Sequence, residues 1–226
     1  MKRTILILSV GLLLAACQPK QTEPQAYTPE KTTPMELTDF KTIALPQPDT
    51  DGGDALMKTM RNRKSDREYA ATNLSLKHLS EILWAANGVN REDGKRTVPS
   101  AMALYPLETY AVLANGIYRY DPARHELQPI VAGDHRELAG LQPFVKEAPL
   151  NLVFIADYGK YGRIPEEKRL YLAALDAGHC TQNVYLYCAS EGLKAVVRAG
   201  AQEQALLEVL GLSENHRFVV AQTVGY

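Results

Sequence analysis

The sequence predicts an α+β domain with a central antiparallel sheet flanked by helices. Helix-like and strand-like segments alternate irregularly along the chain, whereas a doubly wound parallel sheet requires regular alternation. In the middle of the chain, strand-like runs at 108–113 and 116–120 are joined through Asn115 and Gly116, a pair typical of a β-hairpin turn. Because a hairpin joins antiparallel neighbours, this segment also predicts the direction of pairing.

Four helices are predicted from the spacing of apolar residues. The first follows Asp54, which can cap its N-terminus, and continues into the basic stretch that begins at Arg61. Ser75 begins the second, and a glycine follows each of the last three. The third is apolar over much of its circumference, which predicts burial in the domain or in a partner subunit. The predicted helices span 55–60 with the basic stretch that follows, 75–87, 166–191 and 203–210.

Three further strands are predicted after the hairpin. The segment 150–156 is almost wholly apolar, which favours a buried strand. Residues 193–197 form a short strand-like run, and residues 217–223 form the last strand. Residues 96–101 have no regular period and are predicted to be an ordered loop.

The composition is that of an ordinary globular chain, with 226 residues and a formal net charge of −1. This charge balance implies neither a nucleic acid nor a strongly acidic partner. Residues 54–226 suffice for one domain with a hydrophobic core. Cys180 and Cys188 would lie about 12 Å apart along one helix, too far for a disulfide. We interpret them as core cysteines, and no metal-ligand spacing is present.

The N-terminus has the plan of a bacterial export signal. Lys2 and Arg3 precede an uncharged apolar run from residue 5 to residue 16, which is too short for a permanent membrane span. Residues 14–17, Leu-Ala-Ala-Cys, closely resemble the lipobox that a lipoprotein signal peptidase cuts. The resemblance implies that residues 1–16 are removed and that Cys17 carries lipid. An ordinary signal peptide that contains a cysteine is the alternative.

Residues 17–53 are predicted to form a flexible linker behind the lipidated cysteine. They are rich in Pro, Thr, Gln and Asp and show no sustained apolar period. The folded domain is therefore expected to span residues 54–226. Lipid on Cys17 would tether it to a bacterial membrane, in the cell envelope and outside the cytoplasm.

A dense basic cluster follows the first predicted helix. Four cations and one serine hydroxyl lie within seven positions, at Arg61, Arg63, Lys64, Ser65 and Arg67. Together they offer several directed hydrogen-bond donors, as a phosphate site requires. A solvated charged face is the commoner explanation of such a run when the charge pattern is considered alone.

Several segments, taken in order, resemble the nitroreductase family of FMN oxidoreductases. Residues 63–69, Arg-Lys-Ser-Asp-Arg-Glu-Tyr, resemble the element with which that family begins, Arg-Arg-Ser-x-Arg-x-Phe/Tyr. Residues 96–110 resemble the Arg-x-x-Pro-Ser-Ala/Gly and Tyr-Pro-x-Glu-x-Tyr motifs of its azoline-dehydrogenase, or SagB-like, branch. The helix around Asp176 and the strand from Val219 resemble the family's central helix and closing strand. The resemblance extends from Arg61 to Tyr226.

The resemblance implies a homodimer with one FMN at each of two interface sites. The basic cluster would hold the phosphate and the ribityl chain. The backbone of Ala199 and Gly200 would lie near flavin atom N5, where an N–H group favours the charge that develops during hydride transfer. No side chain is therefore assigned a catalytic role. The residues implied to bind FMN are Arg61, Arg63, Lys64, Ser65, Arg67, Pro99, Ser100, Ala101, Val197, Arg198, Ala199 and Gly200.

The implied reaction is a ping-pong electron transfer from a reductant through FMN to a small conjugated acceptor, such as a nitroaromatic or a quinone. The implied substrate contacts are Tyr105, Tyr158, Tyr161 and Arg163. Free NAD(P)H is scarce outside the cytoplasm. We therefore expect a membrane quinol, a secreted redox protein or a small reductant as the electron donor.

Two other functions stay open. The first is a non-catalytic, lipid-anchored binding module on the same fold, although Arg63, Ser65 and Arg67 favour a bound flavin. The second is a dehydrogenase that acts on a peptide-derived heterocycle. The branch with that activity uses a Lys-Tyr pair near the position of Leu104 and Tyr105, and here only the tyrosine is present.

The five histidines are expected to have no catalytic role. His78, His125, His135 and His216 have polar sequence neighbours, which predict exposure. His179 lies on the longest predicted helix, where an interior hydrogen bond is more common than catalysis.

Overall fold

A computed structural model describes residues 27–226. The strands are β1 (Ile43–Ala44), β2 (Leu107–Leu113), β3 (Gly116–Asp121), β4 (Glu126–Ala132), β5 (Leu150–Asp157), β6 (Lys194–Arg198) and β7 (His216–Gly225). They form one sheet in the order β1-β4-β3-β2-β5-β7-β6. Each neighbouring pair is antiparallel. The predicted hairpin is confirmed, because Leu113 pairs with Gly116.

Helices flank the sheet, which confirms the predicted α+β class. They are α1 (Leu56–Asn62), α2 (Leu76–Asn87), α3 (Phe144–Glu147), α4 (Glu166–Glu191) and α5 (Glu203–Val209). The four predicted helices agree with the structure to within a residue or two at each end, and the short α3 was not predicted. None of the helices within residues 27–226 is long and apolar enough to cross a bilayer.

The ends of the helices show which local signals the chain uses. Ser75 Oγ accepts a hydrogen bond from the N–H of His78, as an N-cap does. Gly192 ends α4 in the left-handed region at φ 70° and donates its N–H to the Cys188 carbonyl. The predicted cap at Asp54 is wrong, because Ala55 occupies the N-cap position of α1 and its side chain cannot accept a hydrogen bond.

The sheet carries a hydrophobic core on each face. On one face α2 and α4 pack through residues such as Leu79, Ile82 and Val184, and all three are fully buried. On the other face Val145 and Leu206 fill the space under α3 and α5. Cys180 and Cys188 lie unpaired in the first core, as predicted. Burial raises the pKa of the Cys180 thiol to about 12, so it stays protonated at neutral pH.

Strands β1 and β4 were not predicted. Pro129 interrupts the sequence pattern of β4, since proline cannot donate a ladder hydrogen bond and is rare within sheets. In the structure Pro129 pairs with Tyr118 next to a break in register between Ile117 and Tyr118. The irregularity accommodates the proline, so pairing with β3 rather than local preference forms this strand.

Residues 27–53, which we call the strap, pack against the domain. Tyr27 donates its hydroxyl to the carboxylate of Glu191 at 2.7 Å, Leu45 is buried, and β1 pairs with β4. The prediction of a flexible linker is therefore corrected for this segment. Its apolar residues lie at irregular spacing, so they cover the core without any regular period. The strap residues packed on the core are Met35, Leu37, Phe40, Ile43 and Leu45. Residues 1–26, with the predicted signal and Cys17, lie outside the described residues.

The histidines differ from expectation. His78 and His125 are buried, with 4% and 8% of their surface exposed, and His179 on α4 is exposed. His125 lies 2.8 Å from the hydroxyl of Tyr120 and 3.0 Å from the Pro46 carbonyl of the strap. Polar sequence neighbours therefore gave the wrong prediction, because the strap covers His125 and the rings of Tyr187 and Tyr226 pack against His78.

We expect His78 to make the domain less stable in acid. Its ring lies 3.1 Å from the hydroxyl of Tyr226, and burial lowers its pKa below the ordinary 6.5 despite nearby Glu191 and Glu81. Below about pH 6.5 the unfolded chain binds more protons than the folded one, so the free energy of unfolding falls until the pH passes the lowered pKa. Urea unfolding of His78→Gln at several pH values should show a flatter dependence. His179→Gln is the exposed control, and parallel curves for wild type and His78→Gln would contradict the assignment.

Candidate functional site

The basic cluster lies along the free edge of the sheet. β6 is the last strand, so its outward-facing backbone groups need partners from outside the sheet. The cluster segment supplies one, because the N–H of Asp66 donates to the Ala195 carbonyl at 2.9 Å. The segment follows directly on α1, which ends at Asn62. The fold therefore places the cations of residues 61–67 beside β6.

Tyr185 on α4 joins the basic cluster to β6. Its hydroxyl accepts a hydrogen bond from the N–H of Val197 at 2.9 Å and lies 2.9 Å from Ser65 Oγ. The guanidinium of Arg63 lies over the Tyr185 ring, 5.2 Å from its centroid. Three residues that the family resemblance assigned to one cofactor therefore meet at one tyrosine.

The other cations of the cluster face solvent. Arg61 and Arg67 are exposed. Lys64 forms an ion pair with Asp66 at 2.9 Å and, through this bond, holds the pKa of the carboxyl below its usual range. A cavity of about 210 Å³ borders Lys64 and Tyr185. The arginines are thus accessible to an anionic ligand at this edge, whereas the charge of Lys64 is largely balanced.

At the end of β6 the side chain of Arg198 turns into the interior, with 6% of its surface exposed. Its three nitrogens donate to Ala139 O at 2.6 Å, Asn151 Oδ1 at 3.0 Å and Thr223 Oγ1 at 3.1 Å. Burial among these neutral acceptors lowers the pKa of Arg198 to about 10. The side chain is therefore structural and is not available to a ligand.

Ala199 and Gly200 follow β6 at the same edge. Ala199 is exposed and Gly200 is partly exposed. Their N–H groups donate to no other residue in the described part of the chain. A Cβ at Gly200 would lie 3.2 Å from Leu141 Cδ1, so the backbone here is closely approached from one side. Two amides beside Val197 can therefore donate to a ligand.

The loop from Pro99 to Ala101 lies against the middle of α4. Ser100 Oγ donates to Asp176 Oδ2 at 2.6 Å and accepts the N–H of Tyr105 at 3.0 Å. Asp176 and Tyr185 are nine residues apart on α4, which separates them by about 14 Å along the axis. Within one chain the structure therefore does not bring Pro99, Ser100 and Ala101 to the basic cluster.

The same loop is strained. Met102, Ala103 and Tyr105 have φ values of 51°, 54° and 45°, a region that residues with side chains rarely adopt. Burial raises the pKa of Asp176, although its hydrogen bonds with Ser100 and the Ala101 backbone oppose this shift. Strain of this kind concentrates at functional sites, where surrounding contacts impose it. Here Asp176 and Ser100 supply those contacts.

The predicted substrate contacts do not share one surface. Tyr158 and Tyr161 are buried in the core, with 7% and 2% of their surface exposed, whereas Arg163 is exposed. Tyr158 lies beneath the guanidinium of Arg217, 5.4 Å from its ring centroid. The prediction that Tyr158 and Tyr161 contact substrate is therefore corrected for the single chain, because apolar packing removes both rings from solvent. Tyr105 is partly exposed.

Sequence reasoning missed Tyr185 and Asp176 as parts of the site. Both lie on α4, whose length and apolar character were predicted. Asp176 belongs to the segment that resembles the family's central helix, but it was assigned no contact, and no local motif marks Tyr185. Their role depends on segments 120 and 76 residues away, Ser65 and Ser100. Only the folded chain reveals such pairs.

The donor set at the β6 edge fits FMN. A phosphate is bound by guanidinium forks and a hydroxyl, which Arg61, Arg63, Arg67 and Ser65 present. The edge of a flavin ring accepts hydrogen bonds, and the amides of residues 199–200 are available as donors. The loop at Pro99 completes such a site only if a second chain brings it there.

Comparisons with known proteins agree with this geometry. Residues 60–226 match the model of the Nitroreductase family. The chain is 36% identical to MJ1384 of Methanocaldococcus jannaschii, a protein assigned to the nitroreductases, over 81% of this chain and 92% of that one.

Solved structures show the same relationship. A protein of Ralstonia eutropha JMP134 assigned to the nitroreductases superposes with a TM-score of 0.79 and 42% identity, over 89% of this chain and 96% of the other. The NADPH:FMN oxidoreductase of Vibrio harveyi superposes with a TM-score of 0.56 and 21% identity, over 76% of this chain and 68% of that one. The second likeness shows the fold alone. The sequence, the fold and these matches together establish that the chain belongs to the nitroreductase family.

Proposed function

We propose that this protein is an FMN-dependent oxidoreductase that passes electrons from a reductant to a small conjugated acceptor. The observation that carries the proposal is the Tyr185 hydroxyl, which links Ser65 to the N–H of Val197. Donors suited to a phosphate and amides suited to a flavin ring thus lie along one edge of the sheet. The name of the Vibrio harveyi relative, which includes FMN, supports the choice of cofactor.

Bound FMN would supply the redox chemistry by accepting and releasing electrons. The task of this chain is then binding and electrostatic stabilisation. Arg63, Ser65 and Arg67 hold the phosphate, with Arg61 and Lys64 as further cations. The amides of residues 199–200 donate toward the ring edge and stabilise negative charge there.

A homodimer accounts for the separation of the two halves of the site. The loop at Ser100 is held by Asp176, and the neighbouring face of α4 exposes Tyr171, Leu175 and Leu170, which have 67%, 45% and 52% of their surface exposed. A second copy packed on this apolar face would cover these side chains and set its basic cluster near the loop. Tyr105 and Arg163 would then line the substrate side.

The acceptor is a small conjugated molecule such as a nitroaromatic or a quinone. The motif of residues 96–110 favours a relationship with the azoline-dehydrogenase branch. Leu104 stands where that branch has a lysine, which argues against oxidation of a peptide-derived heterocycle. We therefore prefer the small acceptor.

The electron donor follows from the location that the N-terminus implies. Lipid on Cys17 would anchor the domain in the cell envelope, outside the cytoplasm. Because the strap holds the chain from Tyr27 onward, only residues 18–26 separate the lipid from the domain. Nine residues span at most about 32 Å. This short distance favours a reductant in or near the membrane, such as a quinol.

The visible spectrum of the purified full-length protein tests the cofactor. We expect flavin absorbance, or its appearance after FMN is added. Tyr185→Phe removes the bridging hydroxyl and should weaken FMN binding about tenfold, because it leaves the amide of Val197 and Ser65 without their shared partner. Tyr187→Phe, on the same helix, removes a hydroxyl bonded to Glu81 and is the matched control. A colourless protein that takes up no added FMN would rule out the flavoenzyme and favour a binding module.

A further inference from the structure

Arg198 is buried and Arg96 is partly buried, each without a carboxylate partner within residues 27–226, and their hydrogen bonding differs. All three nitrogens of Arg198 donate to neutral acceptors in the core. Arg96, which precedes the loop at Pro99, makes one side-chain hydrogen bond, from Nη1 to Asn87 Oδ1 at 2.8 Å. Its Nε and Nη2 donate to no acceptor within residues 27–226. A partly buried cation with unused donors is costly, which points to a missing partner.

The guanidinium of Arg96 is positioned by Tyr105 and Asn87. It lies over the ring of Tyr105, 4.7 Å from the centroid, and the backbone N–H of Arg96 donates to the Tyr105 hydroxyl at 3.4 Å. Asn87 in turn donates its amide N–H to Thr109 Oγ1 at 3.3 Å. Burial lowers the pKa of Arg96, as expected for a cation removed from water without an anion beside it.

A cavity of about 150 Å³ adjoins Arg96. Two further cations, Arg119 and Lys160, line it.

The two carboxylates in the cavity wall, Glu108 and Asp121, already have hydrogen-bond partners. Glu108 accepts the hydroxyl of Tyr110 at 2.7 Å and faces Arg119, and Asp121 accepts the side-chain amide of Gln128 at 3.1 Å. Three cations therefore face two occupied carboxylates, which leaves the cavity with a positive charge.

We propose that this cavity is a binding site for a small carboxylate, with the fork of Arg96 as its anchor. A planar carboxylate matches two parallel N–H donors of a guanidinium better than any neutral group does. A water molecule occupies about 30 Å³, so the cavity accommodates a group of about five non-hydrogen atoms. That volume suits an acetate-sized end of a molecule.

The location gives the site a use in catalysis. Arg96 stacks on Tyr105, which is the last of the three strained residues in the loop. A carboxylate on Arg96 would therefore orient the rest of its molecule along Tyr105. We infer that the electron acceptor carries a carboxylate, and this step rests on the proposed function. Binding of the anion to Arg96 does not depend on the proposed function.

Calorimetric titration of the full-length protein with acetate, at constant ionic strength, tests the site with and without added FMN. We expect saturable binding in both states. Arg96→Gln should raise the dissociation constant about tenfold or more, as loss of a charge-assisted pair predicts. A double variant, Arg119→Gln with Lys160→Gln, removes two exposed cations and should raise the dissociation constant severalfold. It tests the site even if Arg96→Gln fails to fold. Lys146→Gln, which removes an exposed cation that does not line the cavity, is the matched control.

Three results would overturn the site. The first is that acetate shows no saturable binding. The second is that wild type, Arg96→Gln and the double variant have equal dissociation constants. The third is that inorganic phosphate binds in preference to acetate. If the protein binds acetate but takes up no FMN, the carboxylate site is supported and the proposed function is contradicted. If it takes up FMN but does not bind acetate, the proposed function is supported and the carboxylate site is contradicted.

Discussion

Replacing Arg63 and Arg67 together by alanine is expected to weaken FMN binding by about two to four orders of magnitude. A hydrogen bond to a charged group contributes about 1.5–3 kcal/mol, and each arginine is assigned at least one to the phosphate. Arg63 also packs on the ring of Tyr185, so its loss loosens the residue that joins Ser65 to β6. Fluorescence titration of the flavin-free protein with FMN measures the change.

The controls separate phosphate binding from charge in general. Arg91→Ala with Arg124→Ala removes two exposed cations outside residues 61–67 and should leave FMN affinity unchanged. If the Arg63 and Arg67 variant retains its flavin through dialysis at moderate salt, the phosphate lies elsewhere. Raising the salt concentration should weaken FMN binding to the wild type, since exposed ion pairs are screened.

Replacing Arg198 by methionine is expected to destabilise the fold by about 3 kcal/mol. The change leaves the Ala139 carbonyl without its donor and deprives Asn151 and Thr223 of one partner each, and an unsatisfied buried polar group costs about 1–3 kcal/mol. For a domain of this size the melting temperature should fall by roughly 6–12 °C. Thermal unfolding followed by circular dichroism measures it. Arg124→Met, a change at an exposed arginine, should alter stability by less than about 0.5 kcal/mol.

Gly140 provides an independent check on Arg198. A Cβ at Gly140 would overlap Nη1 of Arg198, so Gly140→Ala should cost about 1–3 kcal/mol in the wild type. In the Arg198→Met background the same change should cost clearly less, because the overlapping atom is gone. Additive effects of the two changes would contradict the contact.

The parts of the site that depend on neighbours in sequence could be predicted. The basic cluster, the hairpin at Asn115 and the bounds of α4 follow from residue type and spacing within short windows. The strap, β4 and the burial of His125 could not, because each depends on contacts with distant segments. The two buried tyrosines, Tyr158 and Tyr161, show the same limit, since an aromatic residue in a loop has no local signal for burial.

The sequence by itself determined which chemistry is present: cations and a serine suited to a phosphate, glycines that end helices, and the order of the elements. The tertiary structure alone decided which of these groups meet. It placed Ser65 and Val197 on one hydroxyl of Tyr185 and turned Arg198 inward. It also held Ser100 at Asp176, which lies about 14 Å from Tyr185 along α4. The reason is physical. Local preferences act over a few residues, whereas the meeting of side chains is decided by burial of apolar surface across the whole sheet.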